Sequence, residues 1–175
     1  MDHMWSPWRS EYVSEAADRV PTEEGTSLFT ELLNEDADAE NLILWRGEHV
    51  FVIMNLYPYN NGHLLIVPYR EVQAYTALHP PEQQAIAATI DRCIRWLKTA
   101  LSPQGFNVGM NLGAAAGAGI PEHLHVHVVP RWDGDTNFMS TTGHTRVLPE
   151  DLSTTYEKLR AAIDEAGADA STSSS

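Results

Sequence analysis

Three histidines occupy alternate positions in the stretch EHLHVHVVPRW, residues 122–132, namely His123, His125 and His127. In a β-strand, alternate side chains point to the same face of the sheet, so all three imidazoles should share one face. The chain holds eight histidines in 175 residues, and three of them fall in this window of five. A face made only of imidazoles is a poor core and a poor solvent surface, so the row indicates chemistry.

A metal site is one interpretation of the row. Two histidines at i and i+2 on a strand can chelate one zinc ion. Three cannot do so easily, because the backbones of His123 and His127 would lie about 13 Å apart at a rise of ~3.3 Å per residue. A metalloenzyme that uses His123, His125 and one acid therefore stays open as an alternative.

Phosphate transfer is the second interpretation. The reference pKa of imidazole is near ~6.5, so one ring can be a neutral nucleophile while its neighbour donates a hydrogen bond. A neutral imidazole can attack phosphorus and form a phosphoramidate, which divides one difficult displacement into two easier ones. Neighbouring donors stabilise the non-bridging oxygens as negative charge develops on them. One rigid strand would thus supply the nucleophile, the donor and the orienting group.

Composition predicts a globular and strongly acidic protein. The formal net charge is −13, from 24 acidic residues against 11 Lys and Arg, of which only two are lysines. Such a surface repels nucleic acid and anionic membranes, so we expect neither as a partner. Adaptation to a salt-rich cytosol is a further hypothesis for this acidic, lysine-poor surface.

Three further absences in the sequence bear on location. No apolar run approaches the ~20 residues that a membrane span requires. The first ten residues, MDHMWSPWRS, lack the basic and apolar regions of a secretory signal. Cys93 is the only cysteine, which excludes an intramolecular disulfide and a cysteine-rich zinc site. We therefore expect a cytoplasmic protein.

The hydrophobic periodicity predicts an α+β fold with a five-stranded, mostly antiparallel sheet, one long helix and shorter terminal helices. Thr26 or Ser27 should cap a short first helix, Pro80 should open the long one, and a last helix should end near Glu165. Three segments are expected, namely an aromatic extension over 1–25 packed on the body, a domain over 26–166 and a low-complexity tail over 167–175. The strands are expected near residues 42–46, 50–55, 63–68, 106–112 and 123–130.

The sequence resembles the histidine triad (HIT) family. HLHVHVV, residues 123–129, has the form His-x-His-x-His followed by two apolar residues, which is the family's signature. FVIMNLYPYNNGHLLIVPYR, residues 51–70, looks like its nucleotide-binding hairpin, and FNVGMNLG, residues 106–113, looks like the strand beside the catalytic one. Within the family, NLYPYNNGHL together with HLHVHVVPRWDGDTNFM most resembles bacterial diadenosine tetraphosphate phosphorylases.

The resemblance implies a HIT-like fold and a nucleotidyltransferase or hydrolase. Such an enzyme cleaves nucleoside 5′-phosphate anhydrides, for example in dinucleoside polyphosphates, through a nucleotidyl-histidine intermediate with phosphate or water as the acceptor. It further implies a homodimer that pairs across the long helix and a sheet edge. We expect no cofactor in the protein, and Mg²⁺ would arrive with the polyphosphate substrate. A purine nucleotide-binding module of the same fold with little turnover is the alternative.

The resemblance also assigns roles to four histidines. His125 would be the nucleophile that takes the nucleoside monophosphate, and His127 would donate to the α-phosphate oxygens. His123 would orient the site from the side away from the substrate, with His63 as the partner that supports it.

Four further residues are expected to bind the nucleotide and its phosphates. By resemblance, Asn55 would bind the ribose hydroxyls and Asn111 would touch the phosphates, while Arg131 is either a phosphate contact or a surface charge. Gly119 stands four residues before the first histidine, where hydrolase-type members tend to place Gln, Ser or Thr. The change leaves room for a bulky acceptor such as inorganic phosphate, and backbone N–H groups of the loop 113–119 would serve in place of a side chain.

Overall fold

A computed structural model describes residues 26–135 and 150–172. Within these residues it contains five strands, three α-helices and two short 3₁₀ turns, at Tyr75–Ala77 and Ala114–Ala116. The main elements in chain order are α1 (Leu28–Asn34), β1 (Ile43–Arg46), β2 (Val50–Met54), β3 (Leu64–Pro68), α2 (Pro80–Leu101), β4 (Gly105–Gly109), β5 (Val126–Arg131) and α3 (Leu152–Thr172).

The five strands form one sheet in the order β1-β2-β3-β5-β4, and every neighbouring pair is antiparallel. The predicted α+β fold with a five-stranded antiparallel sheet is therefore confirmed. The histidine-bearing strand β5 lies in the interior of the sheet, where His127 pairs with Leu65 on one side and Gly109 on the other. Two neighbouring strands thus fix the position of this histidine.

Helices cover the two faces of the sheet. On one face, α2 buries Trp96 and Leu97 in the main core, and α3 adds Leu159 and Ile163 to the same cluster. On the other face, α1 inserts Phe29 into a smaller cluster. No helix among the described residues is long and apolar enough to cross a membrane.

The histidine segment alternates between these two faces as predicted. Leu124 and Val126 belong to the core under α2. The rings of His123 and His125 pack on the other side against Phe29, with ring centroids 5.5 and 5.4 Å from it. The alternation therefore separates the imidazoles from the aliphatic core.

Pairing of the histidine segment with β3 stops earlier than predicted, so that His123 and His125 precede β5. Continued by two residues, the register that pairs Ile66 with Val126 would place Leu124 opposite Pro68. Proline has no backbone N–H to donate to the ladder. The N–H of Leu124 bonds instead to the carbonyl of Val72, 2.6 Å away. The first two histidines therefore lie on a short irregular segment.

Several other element bounds can be compared with their predictions. Ser27 caps α1 as predicted, because its hydroxyl accepts the N–H of Thr30, and the long helix begins at Pro80 as expected. Strand β4 ends at Gly109, short of the predicted limit of 112. Helix α3 continues to Thr172, so the first residues of the predicted tail are helical. The aromatic extension over 1–25 lies outside the described residues.

Gly62 fixes the turn that leads into β3. Its φ is +73°, a conformation that L side chains rarely adopt. A Cβ at this position would lie 2.5 Å from Leu101 Cδ1 and 3.1 Å from Leu97 Cδ2. Glycine is therefore required here by both the backbone and the packing against the end of α2.

Gly62→Ala should lower the free energy of unfolding by roughly 2–5 kcal/mol, because left-handed strain costs about 1–2 kcal/mol and overpacking costs about 1–3 kcal/mol. Urea denaturation measures the change. Gly105→Ala is the matched control, since a Cβ there has only Arg131 Cβ nearby at 4.0 Å. Equal stability of the two variants would contradict the packing argument.

Candidate active site

A cavity of about 230 Å³ lies beside His125 and His127. Asn55, Asn111 and Gly119 also line it. These histidine and asparagine side chains form a polar end, and apolar side chains form the facing wall. This combination suits a ligand that has one flat apolar part and one charged part. The apolar wall consists of side chains from α1, from the residue before β1, from β2 and β3, and from the segment before the histidines. They are Leu28, Phe29, Leu32, Leu42, Ile53, Leu65 and Ile120.

The hydrogen bonding of His125 determines which of its nitrogens can attack. Its Nδ1 lies 2.9 Å from the backbone carbonyl oxygen of His123. A carbonyl only accepts, so Nδ1 carries the hydrogen, and the neutral ring keeps its lone pair on Nε2. Burial lowers the pKa of His125 below the ordinary value, which favours this neutral form. His125 Nε2 therefore carries a lone pair that is available to a ligand in the cavity.

His63 fixes the tautomer of His127 through a chain of hydrogen bonds. The backbone N–H of Tyr59 donates to His63 Nδ1 over 3.1 Å, so that nitrogen is an acceptor. His63 Nε2 must then carry the hydrogen, and it lies 2.9 Å from His127 Nδ1. His127 Nδ1 accepts in turn, which leaves the hydrogen of the neutral ring on His127 Nε2.

His127 Nε2 is buried and has no hydrogen-bond partner among the described residues. Burial, with a smaller contribution from nearby His125, lowers the pKa of His127 to about 4. The ring is therefore a neutral donor whose N–H is unsatisfied, at a cost of about 1–3 kcal/mol. An anionic oxygen in the cavity would satisfy it. The His125 and His127 ring centroids are 4.9 Å apart.

His123 is fully buried and bonds to the protein through both ring nitrogens. Its Nε2 lies 2.8 Å from the carbonyl oxygen of Pro68, and its Nδ1 lies 2.5 Å from Ser27 Oγ. Its backbone carbonyl accepts the bond from His125 Nδ1, and the expected orienting role of His123 stays a prediction. The expected pairing of His63 with His123 is wrong, however, because His63 Nε2 contacts His127.

The metal-binding alternative required His123 and His125 to share an ion. Both nitrogens of His123 are already hydrogen-bonded to the protein, so this pair is not available for coordination. Within residues 26–135 and 150–172, no group of three or more His, Cys, Asp or Glu side chains could hold a metal ion.

Both predicted asparagines line the cavity, and both also support the site. Asn55 Nδ2 lies 3.2 Å from His63 Nδ1, and its Oδ1 accepts the N–H of Tyr57 over 3.0 Å. The amide retains a second hydrogen and a second lone pair that can face a ligand. Asn111 donates to the carbonyl of Gly117 over 3.3 Å, which holds the loop that contains Gly119.

Arg131 lies at the far end of β5, four residues beyond His127. Its guanidinium makes two bonds to Asp135, at 2.6 and 2.7 Å, and one to Asn107 Oδ1 at 2.7 Å. It does not line the cavity. A neighbouring carboxylate thus holds the arginine, and this position does not support the predicted phosphate contact.

Sequence reasoning missed two contributors to the site. Ser27 was predicted only as a helix cap, and nothing local to it indicates a bond to a histidine 96 residues away. Tyr59 stacks on His127, with ring centroids 5.6 Å apart and planes at 23°, and it also lies against His63 at 4.8 Å. The segment YPYN around Tyr59 is typical of a turn, which hides this second role.

Below pH 6.5 the free energy of unfolding should decrease as the pH falls. Histidines of the unfolded chain take up protons near pH ~6.5. Burial lowers the pKa values of His123, His125 and His127, so these rings take up protons at a lower pH in the folded protein than in the unfolded chain. The unfolded state then binds more protons, and each ring contributes a slope of about 1.4 kcal/mol per pH unit until its folded pKa is reached.

Urea unfolding at pH values from 7.5 down to about 5 measures this slope. Most carboxylates titrate below this range, so the histidines dominate the slope. His127→Asn should reduce the slope by about one ring's share, since the pKa of His127 falls to about 4 in the folded protein. An unchanged free energy of unfolding across this range would show that the rings are not buried as neutral groups.

Comparison with known proteins agrees with the geometry. The family model for the HIT domain matches residues 36–134. The "AP-4-A phosphorylase" of Mycobacterium tuberculosis is 43% identical over 162 residues, which cover 91% of this chain and 83% of that protein. The bis(5′-adenosyl)-triphosphatase of Saccharomyces cerevisiae is 33% identical over 91 residues, 51% of this chain and 44% of that one.

Solved structures lead to the same family. A zinc-bound histidine triad family protein from Mycobacterium smegmatis superposes with a TM-score of 0.67 at 26% identity, over 82% of this chain and 96% of that chain. Because the family model and the mycobacterial relative agree, this chain belongs to the histidine triad family.

Proposed function

We propose that this protein cleaves a phosphate anhydride of dinucleoside polyphosphates, such as diadenosine tetraphosphate, through a nucleotidyl intermediate on His125. One observation carries the proposal, namely the lone pair of His125 Nε2 beside the unsatisfied Nε2–H of His127 at the wall of one cavity. The 43% identity to the mycobacterial AP-4-A phosphorylase supports this substrate class.

The first chemical step exchanges one bond to phosphorus for another. His125 Nε2 attacks the α-phosphorus, the N–P bond forms, and the anhydride P–O bond breaks to release ATP from diadenosine tetraphosphate. His127 Nε2–H donates to a non-bridging oxygen as charge develops there. The His125 ring becomes positively charged, which strengthens the bond from its Nδ1–H to the carbonyl of His123.

The two ends of the cavity suit the two parts of a nucleotide. The apolar wall from α1, β2 and β3 would receive the base. Asn55, beside it, would bind the ribose hydroxyls, because an amide can both donate and accept. Asn111 and the backbone N–H groups near Gly119 would contact the phosphates beyond His127.

The acceptor in the second step is inorganic phosphate, with water as the alternative. Gly119 lines the cavity and has no side chain to occupy the space beside the intermediate. Phosphate would attack the nucleotidyl-His125 bond, regenerate the free imidazole and release ADP. The identity to the mycobacterial phosphorylase supports this choice.

His125→Ala should abolish turnover, with a loss of roughly three orders of magnitude or more in kcat, because it removes the attacking atom. It should also remove the labelled nucleotidyl adduct, which the wild type forms during turnover and an alkaline quench preserves. AMP binding should be retained. His49→Ala, at a half-exposed position outside the cavity, is the matched control. A wild-type protein that binds AMP but forms no adduct would identify a binding module.

Product analysis identifies the acceptor. With diadenosine tetraphosphate and phosphate together, we expect ADP and ATP, and without phosphate we expect the adduct to persist. AMP and ATP formed at the same rate in the absence of phosphate would establish water as the acceptor and contradict the phosphorylase assignment.

We also propose a homodimer in the cytoplasm without nucleic-acid partners. Two observations support the dimer: β4 lies at the edge of the described sheet, and Val108 and Leu112 near it are 44% and 49% exposed. The charge of −13 supports the exclusion of nucleic acid. The unpaired, buried Cys93 fits a reducing compartment.

Val108→Lys should convert the dimer to a monomer, because a charged residue on an edge strand opposes pairing with another copy. Sedimentation velocity measures the change. Glu165→Lys, on the exposed face of α3, is the control for the charge and should leave the sedimentation coefficient unchanged. A monomeric wild type would overturn the dimer.

A further inference from the structure

Ser27 joins the first helix to the histidine segment. It is 1% exposed, and as the N-cap of α1 its Oγ accepts the N–H of Thr30 over 3.3 Å. The same Oγ lies 2.5 Å from His123 Nδ1. One hydroxyl therefore makes contacts in two elements that are far apart in the chain.

The direction of the bond between Ser27 and His123 follows from the other side of the ring. His123 Nε2 lies 2.8 Å from the carbonyl oxygen of Pro68, which can only accept, so Nε2 carries the hydrogen. The ring is fully buried and its burial favours the neutral form, so Nδ1 is an acceptor. The Ser27 hydroxyl must donate to it.

Glu71 completes this arrangement from the segment that follows β3. Its Oε1 accepts the backbone N–H of Ser27 over 2.9 Å and the hydroxyl of Thr30 over 2.5 Å. The Thr30 hydroxyl thus donates to the carboxylate, and the Ser27 hydroxyl donates to His123. The end of β3 and the start of α1 together hold the His123 ring at both nitrogens.

We propose that Ser27 is a positioning residue for the nucleophile, which rests on the function proposed above. Its hydroxyl fixes the tautomer and the rotation of the His123 ring. The backbone of His123 supplies the carbonyl that holds His125 Nδ1–H. A displaced His123 therefore displaces the acceptor that keeps the His125 lone pair on Nε2 and aims it at the cavity.

The same hydroxyl connects this nucleophile to the wall of the cavity. Helix α1 contributes Leu28, Phe29 and Leu32 to that wall, and the Phe29 ring also lies 5.4 Å from the His125 ring. If Ser27 served only as a helix cap, its loss would loosen α1 and weaken nucleotide binding while the bound nucleotide reacted normally. A positioning role predicts a slow reaction of the bound nucleotide in addition, because the same loss removes the donor to His123 Nδ1.

Single-turnover kinetics with diadenosine tetraphosphate separate these outcomes. Ser27→Ala should slow formation of the nucleotidyl adduct by roughly 10- to 100-fold, the usual effect of a small misplacement of a reacting group. The Kd for AMP, which reports the loss of the cap on α1, should change less than this rate. Ser27→Thr, which keeps a hydroxyl and caps a helix well, should restore the rate to within about threefold of wild type.

Thr30→Val is the matched control. It removes a hydroxyl from the same helical turn and its bond to Glu71, but it keeps the bond between Ser27 and His123. Its rate of adduct formation should stay within about twofold of wild type. Should Ser27→Ala fail to fold, Ser27→Cys keeps the size of the side chain with a weaker donor and should slow the same step.

A measurement in the absence of substrate tests the role of Ser27 independently of the proposed function. In ¹⁵N spectra of the imidazoles, the wild type should show His123 protonated at Nε2 and His125 protonated at Nδ1, and Ser27→Ala should lose the single Nδ1–H tautomer of His125. An unchanged His125 tautomer and adduct rate, or a loss confined to the AMP Kd, would overturn the role of Ser27. A wild type that forms no adduct would overturn the enzymatic function instead, and the spectra would still decide on Ser27.

Discussion

The hydrogen bond from His125 Nδ1 to the carbonyl of His123 is the interaction on which the site depends. A neutral imidazole has two chemically different nitrogens, and only a fixed partner on one of them decides which atom can attack. Here the partner is a backbone carbonyl, which cannot change its role from acceptor to donor. In the proposed mechanism, the main chain therefore selects the attacking atom, and the surrounding residues hold that carbonyl in place.

Burial of the imidazole row gives this arrangement its chemical value and also its cost. The rings of His123 and His125 lie against Phe29 of α1, the ring of His127 lies against Tyr59 and His63, and desolvation lowers the pKa of each of the three. A neutral ring is needed for attack, because a protonated ring has no lone pair with which to form the bond. The cost is an unsatisfied donor at His127 Nε2, which the fold tolerates in the absence of a ligand.

Much of the fold and the shared face of the histidines could be predicted from the sequence, because they depend on local periodicity, whereas the roles of the histidines came from the resemblance to the family. The alternation of His125 with Leu124 and Val126 sets their opposite faces in any register of the sheet. The partner of His63, by contrast, depends on how β3 is paired with β5, and strand pairing is a long-range property. Arg131 was ambiguous for a different reason. Its partner Asp135 is close in sequence, but the turn after the end of β5 decides whether the carboxylate comes back to the guanidinium.

The tautomer chain through His63 restricts what His127 can do with its proton. If His127 transferred its Nε2 proton, a replacement would have to come from His63 Nε2, and His63 would then need one from the backbone amide of Tyr59. A peptide N–H does not give up its proton at neutral pH, so the relay ends there. In this neutral tautomer, His127 is arranged to donate a hydrogen bond and not to pass a proton along the chain. Such an arrangement suits leaving groups that depart as stable anions, and a polyphosphate is one of them.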